Sequence, residues 1–298
     1  MKARLIIIPA IILLAACQRM EFEVEPEMRG KTSEPGTLTV RASKGEPQTK
    51  ALDLVNDGTR LNAYWKNTEK VKVYKGAALL GTLSVLPDDG EKPATATLEG
   101  KIDVEGLSVT DVLTLLVPRS KWDYTGQTGA LTGSGSLEEK YAFYTAEIAV
   151  SAISGDSVST THANFSNEQS VYRFGFKLGG NYIDPKDFTV SAAGGKLVTG
   201  RTFNGSAWAS SFGSICLTPV SAPADHFYYV SLRNENTAAD SYGFIVTGSD
   251  NALYLASKAI PATALDAPGK FISAKNISVT QPSFASASGE LPVTVNVF

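Results

Sequence analysis

The sequence predicts an all-β protein, and two observations lead to this prediction. Apolar residues alternate with polar ones in several short runs, which is the pattern of strands that bury one face. Residues that favour turns, namely Gly, Asn, Asp, Ser and Pro, separate nearly all of these runs. Heptads and an exact internal repeat are absent from the sequence. Short strands with frequent turn signals are typical of a β-sandwich or a β-barrel.

Charge and motif content narrow the class of protein. The 298 residues carry a formal net charge of −3, which argues against nucleic acid as a partner because nucleic-acid-binding proteins present a basic face. His162 and His226 have no Cys, Asp or Glu at metal-ligand spacing, and no G-x-S-x-G, P-loop or H-E-x-x-H motif occurs. We therefore expect no metal, no cofactor and no enzyme. An enzyme built from scattered catalytic residues is the more distant alternative.

The first residues have the proportions of a secretory signal. Lys2 and Arg4 are followed by an apolar run over residues 5–16, which is shorter than the about 20 residues that span a bilayer. The run ends Leu14-Ala15-Ala16-Cys17, which resembles the lipobox of bacterial lipoproteins. The resemblance implies that residues 1–16 are removed and that Cys17 is acylated, placing the chain on the outer membrane at the cell surface.

Residues 17–35 are predicted to form an acidic tether next to the lipid. Glu21, Glu23, Glu25 and Glu27 alternate with apolar residues and Pro in this segment. One interpretation is a solvated linker. The other is that acidic residues just after the lipidated Cys resemble surface-export signals of certain Gram-negative anaerobes.

The first predicted strand lies within an N-terminal domain at 36–165. Over Thr37 to Ala42, every second residue is apolar, so that Leu38, Val40 and Ala42 share one face. The runs 109–117 and 137–150 are ambiguous between strand and helix.

A polar stretch from Gly155 to Gln169 separates this domain from a second one at 166–298, since a strong strand begins at Val171. Short β-type runs follow at 171–178, 227–232, 242–247, 252–256 and 271–279.

The last residues form another period-two stripe, at 290–298. Its apolar positions are Leu291, Val293, Val295 and Val297. The stripe is either a donor strand for a neighbouring molecule or the last strand of its own domain. A short segment from Ser283 to Gly289 precedes it.

Four stretches carry a resemblance to a known family. The first is the leader with its acidic tether, and the second is the strand at 37–42 followed by Thr49-Lys50-Ala51, at a place where members of this family often have T-R-A. The third is the segment from Leu61 to Tyr74, which contains Trp65 and Glu69, and the fourth comprises the strands between Phe227 and Phe271. In these features the chain resembles the fimbrillins, the subunits and accessory proteins of type V pili. The resemblance implies two tandem transthyretin-like β-sandwich domains and a shaft or anchor role in a pilus. It also implies other pilus subunits as partners by strand complementation, and adhesion to a host or bacterial surface receptor.

The resemblance also implies how the pilus is assembled. An Arg-specific protease removes the first strand of the precursor, here Leu38, Val40 and Ala42, and the C-terminal strand of a neighbour fills the vacated groove. The candidate processing residues are Arg41, Lys44 and Lys50. Lys50 stands where the family often has Arg, so an Arg-specific protease would not cut there. A chain that escapes cleavage would keep its lipid and act as an anchor or a terminating piece, whereas a processed chain would join the fimbrium.

A second hypothesis is a lipid-anchored glycan-binding or adhesin module. Such a module needs a cluster of exposed aromatic residues, for which Trp122, Tyr124, Trp208 and Phe212 are the candidates. Core packing is the competing explanation for large aromatic side chains.

Overall fold

The computed structural model describes residues 34–44, 53–54, 61–118, 120–192, 194, 197–205, 207–235, 241–259 and 271–282. The signal segment, Cys17, Lys50 and the stripe at 290–298 lie outside the described residues. Lys31–Phe298 groups as one compact unit. Regular structure in the described ranges is nearly all strand, which confirms the predicted all-β class.

The described ranges contain twenty-one strands and one short helix. The first half contains β1 (Gly36–Lys44), β2 (Asp53–Leu54), β3 (Leu61–Asn62), β4 (Lys70–Lys75), β5 (Ala78–Pro87), β6 (Thr95–Ile102), β7 (Val112–Val117), β8 (Lys121–Asp123), α1 (Leu137–Lys140), β9 (Tyr144–Ser154), β10 (Ser157–Thr160) and β11 (Ala163–Asn167). The second half contains β12 (Ser170–Leu178), β13 (Asn181–Ile183), β14 (Pro185–Ala192), β15 (Val198–Phe203), β16 (Trp208–Phe212), β17 (Ile215–Leu217), β18 (Tyr228–Leu232), β19 (Ser241–Gly248), β20 (Leu253–Ala259) and β21 (Phe271–Ser278).

In the first half, one sheet closes on itself. Its order runs β1–β6–β5–β4–β7–β9, and β9 pairs with β10 and β11, both of which pair with β1. Inside lies a mainly aliphatic core, because every second residue of each strand points inward. The aromatic members of this core in the described ranges are Trp65, Tyr144 and Phe165.

The second half packs two sheets around an aromatic core. One sheet has the order β17–β14–β19–β20. In the other, β12 pairs with β18 and β13, and β21 pairs with β12 in parallel. Among the described residues, the buried aromatic members of this core are Trp122, Tyr124, Phe143, Tyr172, Phe174, Phe176, Phe188, Tyr228, Tyr242, Phe244 and Tyr254. Many of them meet edge to face, as aromatic quadrupoles prefer.

Three of these aromatic residues come from the first half of the sequence. Trp122 lies on β8, which pairs with β15 in a small sheet completed by β16. Tyr124 and Phe143 accompany it into the same core. Large apolar side chains thus pack across the predicted boundary near residue 165. The division into domains at 36–165 and 166–298 stays a prediction.

The strands predicted from alternation are confirmed as β1, β12, β18, β19, β20 and β21. The ambiguous run 109–117 forms the strand β7, and 137–150 divides into α1 and β9. The helix begins there because the Ser136 side chain accepts a hydrogen bond from the Glu139 amide, as an N-cap does. Within the described ranges, no helix is long and apolar enough to cross a membrane.

Candidate functional site

The candidate site is the groove that β1 occupies in the closed sheet. Along one edge, β1 pairs antiparallel with β6 from Gly36↔Ile102 to Ser43↔Thr95. Along the other edge, it pairs in parallel with β10 at residues 37–39 and with β11 at residues 42–44. Because β1 joins β6 to β10 and β11, its removal would open the sheet and leave backbone groups unpaired on both sides.

The inward face of β1 supplies three apolar side chains to the groove. Leu38, Val40 and Ala42 are at most 1% exposed and belong to the aliphatic core. Burying Leu38 and Val40 stabilises the seated strand by about 1.5–3 kcal/mol each before entropy is counted. The apolar stripe predicted from sequence is therefore the set of residues that fills the groove.

At one end of the groove, only a glycine fits without displacing the neighbouring residues. A Cβ atom on Gly36 would lie 2.4 Å from Val104 Cγ1 and 2.8 Å from the carbonyl oxygen of Asp156. The next residue, Thr37, donates its amide hydrogen to that same carbonyl at 2.6 Å. Close backbone approach explains the glycine, since any side chain would push β1 away from its neighbour.

At the other end, the inward stripe finishes on a lysine. The Lys44 side chain is 1% exposed, and its Nζ donates to Glu69 Oε2 at 2.6 Å and to the Tyr64 carbonyl at 2.9 Å. The same Nζ lies 3.6 Å from the ring centre of Trp65 and 5.9 Å from that of Tyr144. Burial of the ammonium is tolerated because a carboxylate, a carbonyl and two aromatic faces surround it. We call this arrangement the Lys44 cage.

Polar contacts hold the outward face of β1. Arg41 on β1 makes two parallel hydrogen bonds of 2.8 Å to the carboxylate of Asp88. Arg41 and then Thr95, whose hydroxyl also donates to Asp88, lower the pKa of that carboxyl from 3.8 to about 2. Ser43 Oγ donates to Asn164 Oδ1 at 2.8 Å. Since these contacts are exposed, they set register more than stability.

Lys44, one of the candidate processing residues, does not lie in a loop after the first strand. Lys44 is the last residue of β1, and its side chain is enclosed rather than accessible. The physical reason is the strand's own alternation, which puts residue 44 on the same face as residues 38, 40 and 42. That alternation is the signal that could have revealed from the sequence that Lys44 faces inward. Among the candidate processing residues, Arg41 lies within a paired strand and Lys50 lies outside the described residues.

The aromatic residues proposed for glycan binding do not form an exposed cluster. Trp122 and Tyr124 are at most 1% exposed and lie in the aromatic core. Trp208 packs against Trp122 with ring centres 3.8 Å apart, and Phe212 is 44% exposed. Core packing therefore accounts for the first two side chains.

The histidines lie apart from each other and serve local contacts. His162 Nε2 is 3.0 Å from Ser43 Oγ at the outward face of β1. His226 Nδ1 is 2.9 Å from both carboxylate oxygens of Asp184, and its ring stacks on Tyr182. Within the described residues, no group of three His, Cys, Asp or Glu side chains could hold a metal ion.

Comparisons with known proteins give distant likenesses. No family model matches the chain, and no curated protein matches it. Among solved structures, a protein named for cell adhesion from Bacteroides fragilis NCTC 9343 has a TM-score of 0.43 at 11% identity, over 86% of this chain and 100% of that one. A second protein named for cell adhesion, from Bacteroides ovatus ATCC 8483, has a TM-score of 0.42 at 13% identity, over 85% and 97%. The shaft pilin SpaA of Lactobacillus rhamnosus GG has a TM-score of 0.33 at 10% identity, over 84% and 100%. Likenesses this distant carry no argument about this chain.

Proposed function

We propose that this chain is a lipid-anchored, cell-surface structural subunit of a fimbrillin-type pilus, serving as shaft or anchor. In this role β1 is a provisional strand that is released after cleavage, and a strand of another subunit takes its place. The assembled fibre supports adhesion. The position of β1 is the observation that carries the proposal. This strand closes the sheet, yet the other strands of the sheet remain hydrogen-bonded to one another without it.

The sequence of the tail supports the donor half of this exchange. Gly289-Glu290-Leu291-Pro292-Val293 repeats the G-x-L-x-V pattern of Gly36-Thr37-Leu38-Thr39-Val40. Continued at the same spacing, Val295 falls at the position of Ala42, and Val297 at that of Lys44. The tail thus carries the glycine that the narrow end of such a groove requires, followed by an apolar stripe of strand formers.

Release of β1 requires a cut between this strand and the rest of the sheet. The enclosed side chain of Lys44 cannot enter a protease pocket while β1 is seated, and Arg41 is held in the ladder with β6. We therefore assign processing to Lys50, which follows β1 in the sequence. Uncut chains retain both β1 and the lipid on Cys17, and so serve as the membrane-side anchor.

A disulfide between β1 and β6 tests whether β1 leaves. Thr39 and Glu99 are cross-strand partners with exposed side chains. The Lys44 amide donates to the Ala94 carbonyl, which places even-numbered residues of β1 in hydrogen-bonded pairs and Thr39 in a non-bonded pair. At such pairs the Cα atoms are about 4.5 Å apart, within the range that a disulfide spans.

We expect the Thr39→Cys/Glu99→Cys chain, in a Cys216→Ser background, to be absent from fibres when oxidised. Reduction should restore incorporation, because it frees β1. The matched control is Thr39→Ser/Glu99→Ser, which should assemble under both conditions. Equal incorporation of the oxidised disulfide chain and the control, measured by immunoblotting of sheared fibres, would show that β1 stays in place during assembly.

A further inference from the structure

The inward stripe of β1 ends on a positive charge, where a core strand would ordinarily carry another apolar residue. Lys44 is the fifth inward position counted from Gly36, and all five are buried. A buried ammonium is costly unless its partners are positioned in advance. Stability alone does not explain the Lys44 cage, since an apolar residue of similar volume would fill the same space without the cost of burying a charge.

The walls of the cage are held independently of β1. The Trp65 amide donates to the Pro93 carbonyl at 2.8 Å, and the Trp65 ring meets Phe165 edge to face at 5.2 Å. Glu69 Oε2 also accepts the Lys66 amide hydrogen at 2.9 Å, so a local turn sets its position. Tyr144 belongs to β9, which is paired with β7 and β11. These contacts keep the cage assembled when β1 departs.

We propose that the Lys44 cage is a recognition socket for the lysine side chain of an incoming β-strand, and that it selects which strand closes this sheet. The inference rests on the proposed exchange of β1. The carboxylate of Glu69 and the face of Trp65 attract a cation. An apolar side chain in the same place would leave the Glu69 carboxylate without the lysine ammonium that it binds here.

This socket disfavours joining two copies of the same chain. Residues 283–298 contain no Lys or Arg. If the tail enters in the direction of β1, Val297 falls at the position of Lys44; in the opposite direction, Leu291 falls there, so an apolar side chain faces Glu69 in either case. The strand that this groove accepts therefore comes from a different subunit, one that ends its apolar stripe with lysine.

Exchange of labelled peptides into the full-length chain tests the socket. A recognition sequence for a site-specific protease is inserted after Pro47 and cut after purification, so that β1 remains seated as a separate segment. Four labelled peptides then compete for the groove: residues 34–46, the same peptide with Lys44→Met, residues 287–298, and that tail peptide with Val297→Lys. Binding of each peptide is measured by fluorescence anisotropy on the cut chain that keeps Glu69 and on the cut chain that carries Glu69→Gln.

On the cut chain that keeps Glu69, we expect the Lys44 peptide to bind at least about tenfold more tightly than the Lys44→Met peptide, and Val297→Lys to improve the tail peptide by a similar factor. Both preferences should fall severalfold on the Glu69→Gln chain. Equal binding of Lys and Met peptides would overturn the socket while leaving strand exchange intact. Failure of every peptide to enter the cut chain would overturn strand exchange and the socket together.

Discussion

The closed sheet of the first half and the two-sheet core of the second half are stabilised by different kinds of side chain. Between its two ends the groove around β1 belongs to a mainly aliphatic core, to which Leu38, Val40 and Ala42 contribute. The second core is a network of rings, in which Phe244 meets both Phe174 and Phe176. Aliphatic contacts are non-directional, whereas aromatic pairs prefer particular geometries.

This difference indicates where strand exchange is physically feasible. A strand held by non-directional contacts can be replaced by another strand with a similar apolar volume. A strand held in an edge-to-face network cannot be replaced without re-forming each ring contact. Specific recognition in the closed sheet is therefore confined to the two ends of the groove, at Gly36 and at the Lys44 cage.

The largest expected effect compares the two cores directly. Phe244→Ala removes a ring that is 2% exposed and should lower the free energy of unfolding by about 3–5 kcal/mol. Leu38→Ile keeps the volume within the aliphatic groove and should cost less than about 1.5 kcal/mol. Denaturant titration of both variants measures the two free energies. A loss for Leu38→Ile as large as for Phe244→Ala would remove the distinction between the cores.

An intermediate effect is expected from the Lys44 cage in the intact chain. Glu69→Gln leaves an ammonium that is 1% exposed without its carboxylate, and should lower the free energy of unfolding by about 3 kcal/mol. Lys44→Met leaves a carboxylate that is 18% exposed and still accepts the Lys66 amide hydrogen, so it should cost less. Denaturant titration measures this asymmetry. The reverse order would mean that the carboxylate is the more deeply enclosed partner.

The smallest effect is expected at the outward face of β1. Because Arg41 and Thr95 lower the pKa of Asp88 from 3.8 to about 2, the charged carboxylate stabilises the fold above pH 3.8, and this contribution is lost as the pH falls through about 2. Asp88→Asn should therefore be slightly less stable than the unmodified chain near neutral pH and equally stable below pH 2. Thermal unfolding across this range measures the difference. An undiminished difference at the lowest pH would exclude the ionised pair as its cause.

Much of the local structure follows from the sequence, because alternation is a property of each strand by itself. The face shared by Leu38, Val40 and Ala42 is predicted correctly, as are the strands that contain Tyr172 and Tyr242. The run 137–150 is ambiguous because a four-residue helix is too short for a recognisable period, although Ser136 and Glu139 carry its capping signal. Donor strand, lipidation and processing stay predictions, since their residues lie largely outside the described ranges.

By itself, the sequence determined that this chain is all-β and which face of β1 is apolar, since both depend on neighbours one or two positions apart. Only the tertiary structure decided that β1 lies between β6 and the pair β10 and β11, and that Trp122 and Tyr124 enter the core of the second half. It also decided that the Lys44 side chain is buried, because its partners Glu69 and Tyr144 lie 25 and 100 positions away in the sequence. Strand pairing and the enclosure of a charge depend on such distant residues, and no local pattern encodes which of them will meet.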